Sequence, residues 1–358
     1  SIVLVGASGS GKTVFLASLF KIFSTLGKLG FFLQIEDTKR RKSLNRIYEE
    51  LIRGESWPPG TRNTGQWRFS CYVKNSELSP VQACTFTYVD YAGGLITDSS
   101  TEVDDYSQFQ SLVKTADAVL ALIDGQKLLL LMQDKDLKNP VVSKFYLEDL
   151  PNVMQQVDRC TRNTPVHFII TKWDLLEKTY SLAEVKSRLL NTVCEFKNVV
   201  NNRKNAGCAV RLIPISSVGK GFAILESNGQ MKKIPGKIPQ PLNLEVPFAF
   251  ALIDKEHNQI DNIKPILNTR TKAFKHNIIV YTFLGLITIA LLPWSLIIAV
   301  IYFLIRIFVK EKQGNTNKDK SLEISKEYVS NTNAFAQVLS TCHSVQQNFI
   351  AEFPESNL

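Results

Sequence analysis

Eight residues near the start of the chain have the make-up of a phosphate cradle. Gly6-Ala7-Ser8-Gly9-Ser10-Gly11-Lys12-Thr13 satisfies the spacing G-x-x-x-x-G-K-[ST]. It follows the apolar run Ile2-Val3-Leu4-Val5 and precedes Phe15, Leu16, Leu19, Phe20 and Phe23, which recur at helical spacing. Glycines here let successive backbone N–H groups curl around a β-phosphate, and the helix start adds partial positive charge. Lys12 would reach the β and γ oxygens, and the Thr13 hydroxyl is a hard ligand suited to Mg²⁺.

Three further groups stand at the ends of apolar runs. Asp90-Tyr91-Ala92-Gly93 follows Thr85–Val89, which places a carboxylate beside the metal, through water, and the Gly93 amide at a γ-phosphate. Thr171-Lys172-Trp173-Asp174 follows Val166–Ile170. Asp174 can accept from both N1–H and N2–H₂ of guanine. Adenine lacks that donor pair, and a buried charged group left without a partner costs about 1–3 kcal/mol or more, so this residue selects guanine. Lys172 is expected along the base and loop region, as charged stems lie on flat surfaces. In Pro214-Ile215-Ser216-Ser217, backbone and hydroxyl groups of Ser216 and Ser217 could meet guanine O6.

The elements that must hold these residues read as an α/β, doubly wound, mostly parallel sheet. Core strands are expected at Ile2–Val5, Thr85–Val89, Ala118–Ile123, His167–Ile170 and Arg211–Ile215, with helices between them such as Lys12–Leu26, which stops at Gly27. Glu245–Ile260 reads as a closing helix. The expected division is a nucleotide domain over residues 1–262, a basic linker over 263–276, an apolar membrane segment over 277–309 and a helical tail over 310–358.

In the order GASGSGKT, DYAG, TKWD and the Ser216-Ser217 turn, about residues 1–217 resemble the translation-factor and small-G-protein class of P-loop GTPases. Trp57-Pro58-Pro59-Gly60-Thr61, Ala116-Asp117-Ala118 and Thr171–Leu176 are similar, more narrowly, to the bacterial double-GTPase-like branch of that class. The resemblance implies GTP and GDP as ligands, Mg²⁺ as the metal, two switch loops and slow hydrolysis. It assigns the reaction to Lys12, Thr13, Asp90, Gly93 and a switch threonine, with Thr13, Asp90 and that threonine around the metal. Thr61 and Thr64 both fit the last role, and Thr61 is preferred because it follows the Pro-Pro-Gly turn. Gly94 stands where many relatives carry the glutamine that orients the attacking water, so intrinsic turnover should be poor. An activating partner, a dimer contact or another part of the chain would supply the missing group.

The formal charge of +9 could indicate nucleic acid, but its placement gives a membrane reason instead, and no nucleic-acid partner is expected. Asn277–Ile305 is 29 residues without a charge, against about 20 for one helical span. Arg270, Lys272 and Lys275 precede it, and Arg306, Lys310 and Lys312 follow it. Basic residues on both sides favour a hairpin turning at Pro293-Trp294, with a single span as the other arrangement. Either way the expectation is a membrane-associated chain with its nucleotide domain in the cytoplasm and membrane lipid as a partner.

Phe335, Val338, Cys342, Val345 and Phe349 form a stripe on the tail that could join a second copy in a homo-oligomer or pack on the parent domain. Six cysteines without CxxC spacing suit free thiols used as core filler. The start on Ser1, directly before a strand and without a signal-peptide pattern, reads as an excised or processed chain. Three functions compete: a Mg²⁺-dependent GTPase switch, a GTP-binding scaffold with vestigial hydrolysis, and a dynamin-like mechanochemical membrane GTPase.

Overall fold

The computed structural model describes residues 1–24, 29–60, 65–74, 80–90, 103–134, 136–226, 228–258 and 318–358. Four short strands run wholly or mostly apolar: β1 (Ile2–Val5), β5 (Ala118–Ile123), β6 (Val166–Ile170) and β7 (Val210–Pro214). Such runs belong in a parallel sheet covered on both faces, and they pair in parallel as β1 with β5, β5 with β6 and β6 with β7. Beyond β1 the sheet continues through β4 (Val81–Asp90), β3 (Gly65–Val73) and β2 (Phe31–Gln34), giving seven strands in the order β2-β3-β4-β1-β5-β6-β7. β3 is antiparallel to both its neighbours. This is the expected architecture. Two strands absent from the sequence reading, β2 and β3, form the outer part of the sheet, where the first four residues of β3 are exposed or half-buried and no long apolar run announces them.

Alternate residues of each strand point to opposite faces. Val3, Val5, Val119, Ala121, Ile123 and Phe168 share one buried cluster. Helices α3 (Val103–Lys114), α4 (Gly125–Gln133), α5 (Pro140–Lys144), α6 (Leu150–Asp158), α7 (Leu182–Thr192) and α8 (Cys194–Asn205) contribute to it. Ile2, Leu4, Leu120, Leu122 and Ile213 face the other way, under α1 (Lys12–Phe23) and α2 (Thr38–Arg53). A short antiparallel hairpin, β8 (Ala223–Leu225) with β9 (Met231–Lys233), follows β7. The described helix α1 stops at Phe23, and Gly27, the expected stop, lies outside the described residues.

Two later helices complete the second face. Helix α9 spans 246–258, close to the expected closing helix, and Phe248, Phe250 and Ile253 are buried in that core. Asp254 anchors it: His167 Nε2 of β6 lies 3.2 Å from Asp254 Oδ2, Arg211 of β7 pairs with the same oxygen, and the Arg211 guanidinium sits 4.2 Å from the Phe250 ring centre. Helix α10 (Lys318–Glu352) brings Ala334, Val338, Leu339, Cys342 and Phe349 into the same cluster, with Phe335 and Val345 partly buried against it. Of the two uses open to this stripe, the structure shows packing on the parent domain. Asn357 then bridges to Arg211, and the Leu358 amide donates to the Val210 carbonyl at 3.1 Å.

Cys71, Cys160 and Cys342 are buried, as core filler should be, whereas Cys84 and Cys208 are half-buried and Cys194 is exposed. Asn277–Ile305 and the proposed domain edges at 262, 276 and 309 lie outside the described residues. Among the described residues, no helix is long and apolar enough to cross a membrane.

Candidate nucleotide site

The sequence-marked residues converge where the parallel strands end. β1 delivers the chain to the loop Gly6–Thr13, and α1 starts without a side-chain cap: its N-cap is Gly11, at φ 91° in the left-handed region that a side chain would strain. The leading N–H groups of α1 therefore have no side-chain acceptor at the cap and suit an anion. Lys12 is 5% exposed, and its Nζ donates to the carbonyls of Gly6 (2.6 Å) and Ala7 (3.1 Å), folding back over the loop. Burial lowers its pKa from 10.5 to about 8, and the Asp90 carboxylate partly opposes the shift. A polyphosphate would add to the partial counter-charge that Asp90 gives this buried ammonium.

β4 ends in Asp90 beside β1, with Leu4 and Asp90 in register. Thr13 Oγ1 and Asp90 Oδ2 stand 3.4 Å apart. A hydroxyl ligand with a carboxylate beside it, acting through water, fits Mg²⁺, which takes few protein ligands beside water and phosphate. Among the described residues, no group of three His, Cys, Asp or Glu could hold a metal. Thr61, Thr64, Gly93 and Gly94 lie outside the described residues.

The base-reading group follows β6. The Thr171 hydroxyl donates to the carbonyls of Ser10 (2.9 Å) and Ile123 (3.2 Å), tying this turn to the phosphate loop. Lys172, at φ 52°, sends Nζ to both oxygens of Asp124 at 2.9 Å and to the Gly9 carbonyl at 3.3 Å. Its head therefore joins the phosphate loop to the end of β5, within the loop region where it was expected. Asp124 also caps α4 by accepting from the Gln126 amide. The sequence reading missed it, although the signal was there: a carboxylate followed by glycine at the end of the apolar run Ala118–Ile123. Gly125 is required beside it, because an added Cβ would sit 1.9 Å from the Thr171 carbonyl oxygen.

Asp174 is held in place by Ser216. The Ser216 hydroxyl donates to Asp174 Oδ1 at 2.6 Å and accepts from the Gly219 amide at 2.8 Å. This changes the role expected of Ser216: its hydroxyl orients the carboxylate and is not free for guanine O6, leaving Ser217 and backbone groups for that contact. Burial raises the Asp174 pKa, and the Ser216 hydrogen bond works against that rise. Trp173 is buried and donates its amide to the Ile215 carbonyl at 2.9 Å, fixing the turn on β7. The phosphate loop, Asp90, the Thr171–Asp174 turn and Ser216, with Asp124 after β5, thus form one polar rim along the ends of five adjacent strands, β4, β1, β5, β6 and β7.

The model of the family Double-GTPase 1 matches residues 3–222. No curated protein matches the chain. A solved structure it is similar to is the signal recognition particle receptor SRb-GTP/SRX complex from Chaetomium thermophilum, at 15% identity, covering 62% of this chain and 94% of that chain, with a TM-score of 0.34.

Proposed function

Because the chain belongs to the Double-GTPase 1 family, we propose that it binds GTP and GDP with Mg²⁺ and acts as a switch that hydrolyses GTP slowly. The observation that carries this reading is the rim itself. A buried lysine and an uncapped helix start face one end, an Asp174 carboxylate fixed by Ser216 faces the other, and Lys172 joins the two. Lys12 would neutralise the phosphate oxygens, while Thr13 and Asp90 would hold the metal, with Thr61 completing its shell. The ion, when bound, supplies charge neutralisation on the β and γ oxygens. Asp174 would accept from guanine N1–H and N2–H₂. Gly94 leaves water unpositioned, so an activating protein partner is expected. The scaffold reading rests on that same residue, and a single-turnover assay that finds no GDP formed would favour it.

Asp174→Asn tests the base assignment. An amide presents a donor where the carboxylate accepts, so preference should pass from GTP to XTP, by about tenfold or more for a charged hydrogen bond lost and regained. A folded variant that keeps its full preference for GTP places guanine recognition elsewhere.

We further propose that Asn277–Ile305 attaches the chain to a membrane as a re-entrant hairpin, with the nucleotide domain in the cytoplasm. The packing of α9 and α10 supports the hairpin over a single span. The pairs Phe250–Phe349 and His257–His343 run in opposite directions along the two helices, so the chain leaves and returns at one end of the domain. There, Asn258 donates to the Asn163 carbonyl and Lys255 lies 4.0 Å from Asp117, just before β6 and β5 begin and opposite the phosphate loop. A tail packed on the domain cannot also lie across a bilayer from it. In sealed vesicles with the domain outside, and in a background without the native cysteines, Lys272→Cys and Glu311→Cys should both react with an impermeant thiol reagent. Protection of one site alone would mean a single span.

A further inference from the structure

Three of the six cysteines meet on the face of the sheet that α9 and α10 cover. Cys71 of β3 is buried there between Phe69 and Val73. Directly opposite it in the antiparallel pair stands Cys84 of β4. The register then slips, from Cys71 opposite Cys84 to Tyr72 opposite Gln82, so that Ala83 is the extra residue of a β-bulge. Ala83 and Cys84 both end partly buried on this core. Cys342 of α10 is buried beside them, near enough to interact electrostatically with both thiols. Among the described residues, no three His, Cys, Asp or Glu are placed to hold a metal, so the chemistry these sulfurs point to is that of thiols.

The paired sulfurs are not equivalent. The Cys71 thiol donates a hydrogen bond to the Cys84 sulfur, which holds the Cys84 pKa below the ordinary thiol value and pushes that of Cys71 above it. Burial works against the first shift and adds to the second. Of the charges on α9, Lys255 favours the Cys84 thiolate and Glu256 disfavours it. Burial keeps Cys342 protonated. Cys84 is also half-buried, whereas Cys71 and Cys342 are closed off. A thiol that is partly open and inclined to ionise is the one that attacks an oxidant, and a closed thiol opposite it is placed to meet the product. Directly opposed residues stand about 4.5–5.5 Å apart at Cα, inside the about 4.4–6.8 Å that a disulfide spans.

We propose that Cys84 and Cys71 form a redox modification site: a hydroperoxide oxidises Cys84, and Cys71 resolves the product as a disulfide across β3 and β4. In the first step the Cys84 thiolate attacks one oxygen of hydrogen peroxide. The O–O bond breaks, Cys84 becomes a sulfenic acid, and the other oxygen leaves as hydroxide and takes up a proton to give water. In the second step Cys71 gives up its proton and its sulfur attacks the Cys84 sulfur. The S–O bond breaks, and hydroxide leaves with that proton as a second water. Two thiols thus lose two electrons to one peroxide. The link closes residues 71–84 into a ring and keeps the oxidation reversible by a dithiol. A sulfenic acid left unresolved would go on to the irreversible sulfinic acid, an anion set against this apolar face.

The test treats the reduced full chain with hydrogen peroxide, blocks the remaining thiols with N-ethylmaleimide and maps the peptides by mass, while near-ultraviolet circular dichroism follows the fold. Cys71 and Cys84 should be found linked in the folded chain, and dithiothreitol should restore both. Cys84 should be oxidised about tenfold faster than the exposed Cys194, because reactivity follows thiolate character more than exposure alone. Cys71→Ala should leave Cys84 as a sulfenic acid that dimedone labels, and Cys84→Ala should leave Cys71 reduced. Cys342→Ala should form the Cys71–Cys84 link as the wild type does. The wild-type map decides the matter even where a variant fails to fold. Cys84 left reduced, Cys84 labelled by dimedone with Cys71 still free, a link from Cys84 to Cys342 instead, Cys194 oxidised as fast as Cys84, or a link that forms only once the dichroism signal is lost would each overturn the proposal.

Discussion

The two faces of the central sheet are closed by different kinds of helix. The face of Val3, Val5 and Phe168 is covered by α3 to α8, which lie between strands in the chain and include the crossovers that parallel pairing demands. On the opposite face, α1 and α2 are joined by α9 and α10, which come after the last strand and flank residues 259–317. Phe69, Phe86 and Tyr88 lie on that second face, and Phe86 meets Phe248 of α9 with ring centres 4.7 Å apart. Without the late helices, these large apolar side chains would be open to water. The difference teaches that the chain beyond the family match contributes to the core of this domain.

Truncating one large side chain on each face breaks or sharpens this comparison most strongly. Phe349→Ala should destabilise the chain by about 3–5 kcal/mol, matching Phe168→Ala on the crossover face, because both rings are buried among aromatic neighbours. Urea midpoints measure both. A wild-type midpoint for Phe349→Ala would make α10 an appendage. Next in size, Lys12→Ala should weaken GDP binding about a hundredfold without lowering the melt of the empty chain, since it removes the fixed cation of the loop together with the penalty for burying it. Near-normal affinity in a folded variant would remove the phosphate-loop assignment. Ser216→Ala should be smaller: Asp174 keeps its charge but loses its orienting donor, and competition between GTP and ATP should show guanine preference reduced about tenfold. No loss of preference would mean the Asp174–Ser216 bond is incidental.

The smallest effect is that of pH. With its pKa at about 8, nucleotide-free Lys12 is charged below that value and loses its proton above it. Bound phosphate favours the charged form, so affinity should be flat below about pH 8 and fall above it by at most tenfold per pH unit, with proton uptake on binding. The sign reverses for the stability of the empty chain. The unfolded lysine titrates at 10.5, so the unfolded state holds more protons between about 8 and 10.5, and the penalty for burying this charge is relieved as pH rises through that window. Calorimetry in buffers of different ionisation enthalpy reads the proton directly, and equal affinities at pH 7 and 9 would contradict the lowered pKa.

How much of this was legible in the sequence follows from where each signal lives. The strands β1, β5, β6 and β7 are buried on both faces, so they appear as unbroken apolar runs, and the chemistry-bearing residues stand where those runs end. β3 mixes polar and apolar residues and lies toward the sheet edge, and α2 buries only Leu44 and Leu51, so neither announces itself. Lys12 and Thr13 are fixed by local spacing. The partnerships of Lys172 with Asp124, and of Asp174 with Ser216, join residues far apart in the chain, and spacing carries no record of them. The stripe on α10 was visible, but its covering face was not, because an amphipathic helix has the same pattern whether it meets its own domain or a second copy.

The most direct test of the guanine nucleotide site is titration of the purified full-length chain with GDP and with ADP by calorimetry, in the presence of Mg²⁺. The account predicts one GDP bound per chain, at least about a hundredfold tighter than ADP, because Asp174 finds both its donors only on guanine. Equal affinities for the two nucleotides, or no binding of GDP to the folded chain, would contradict it.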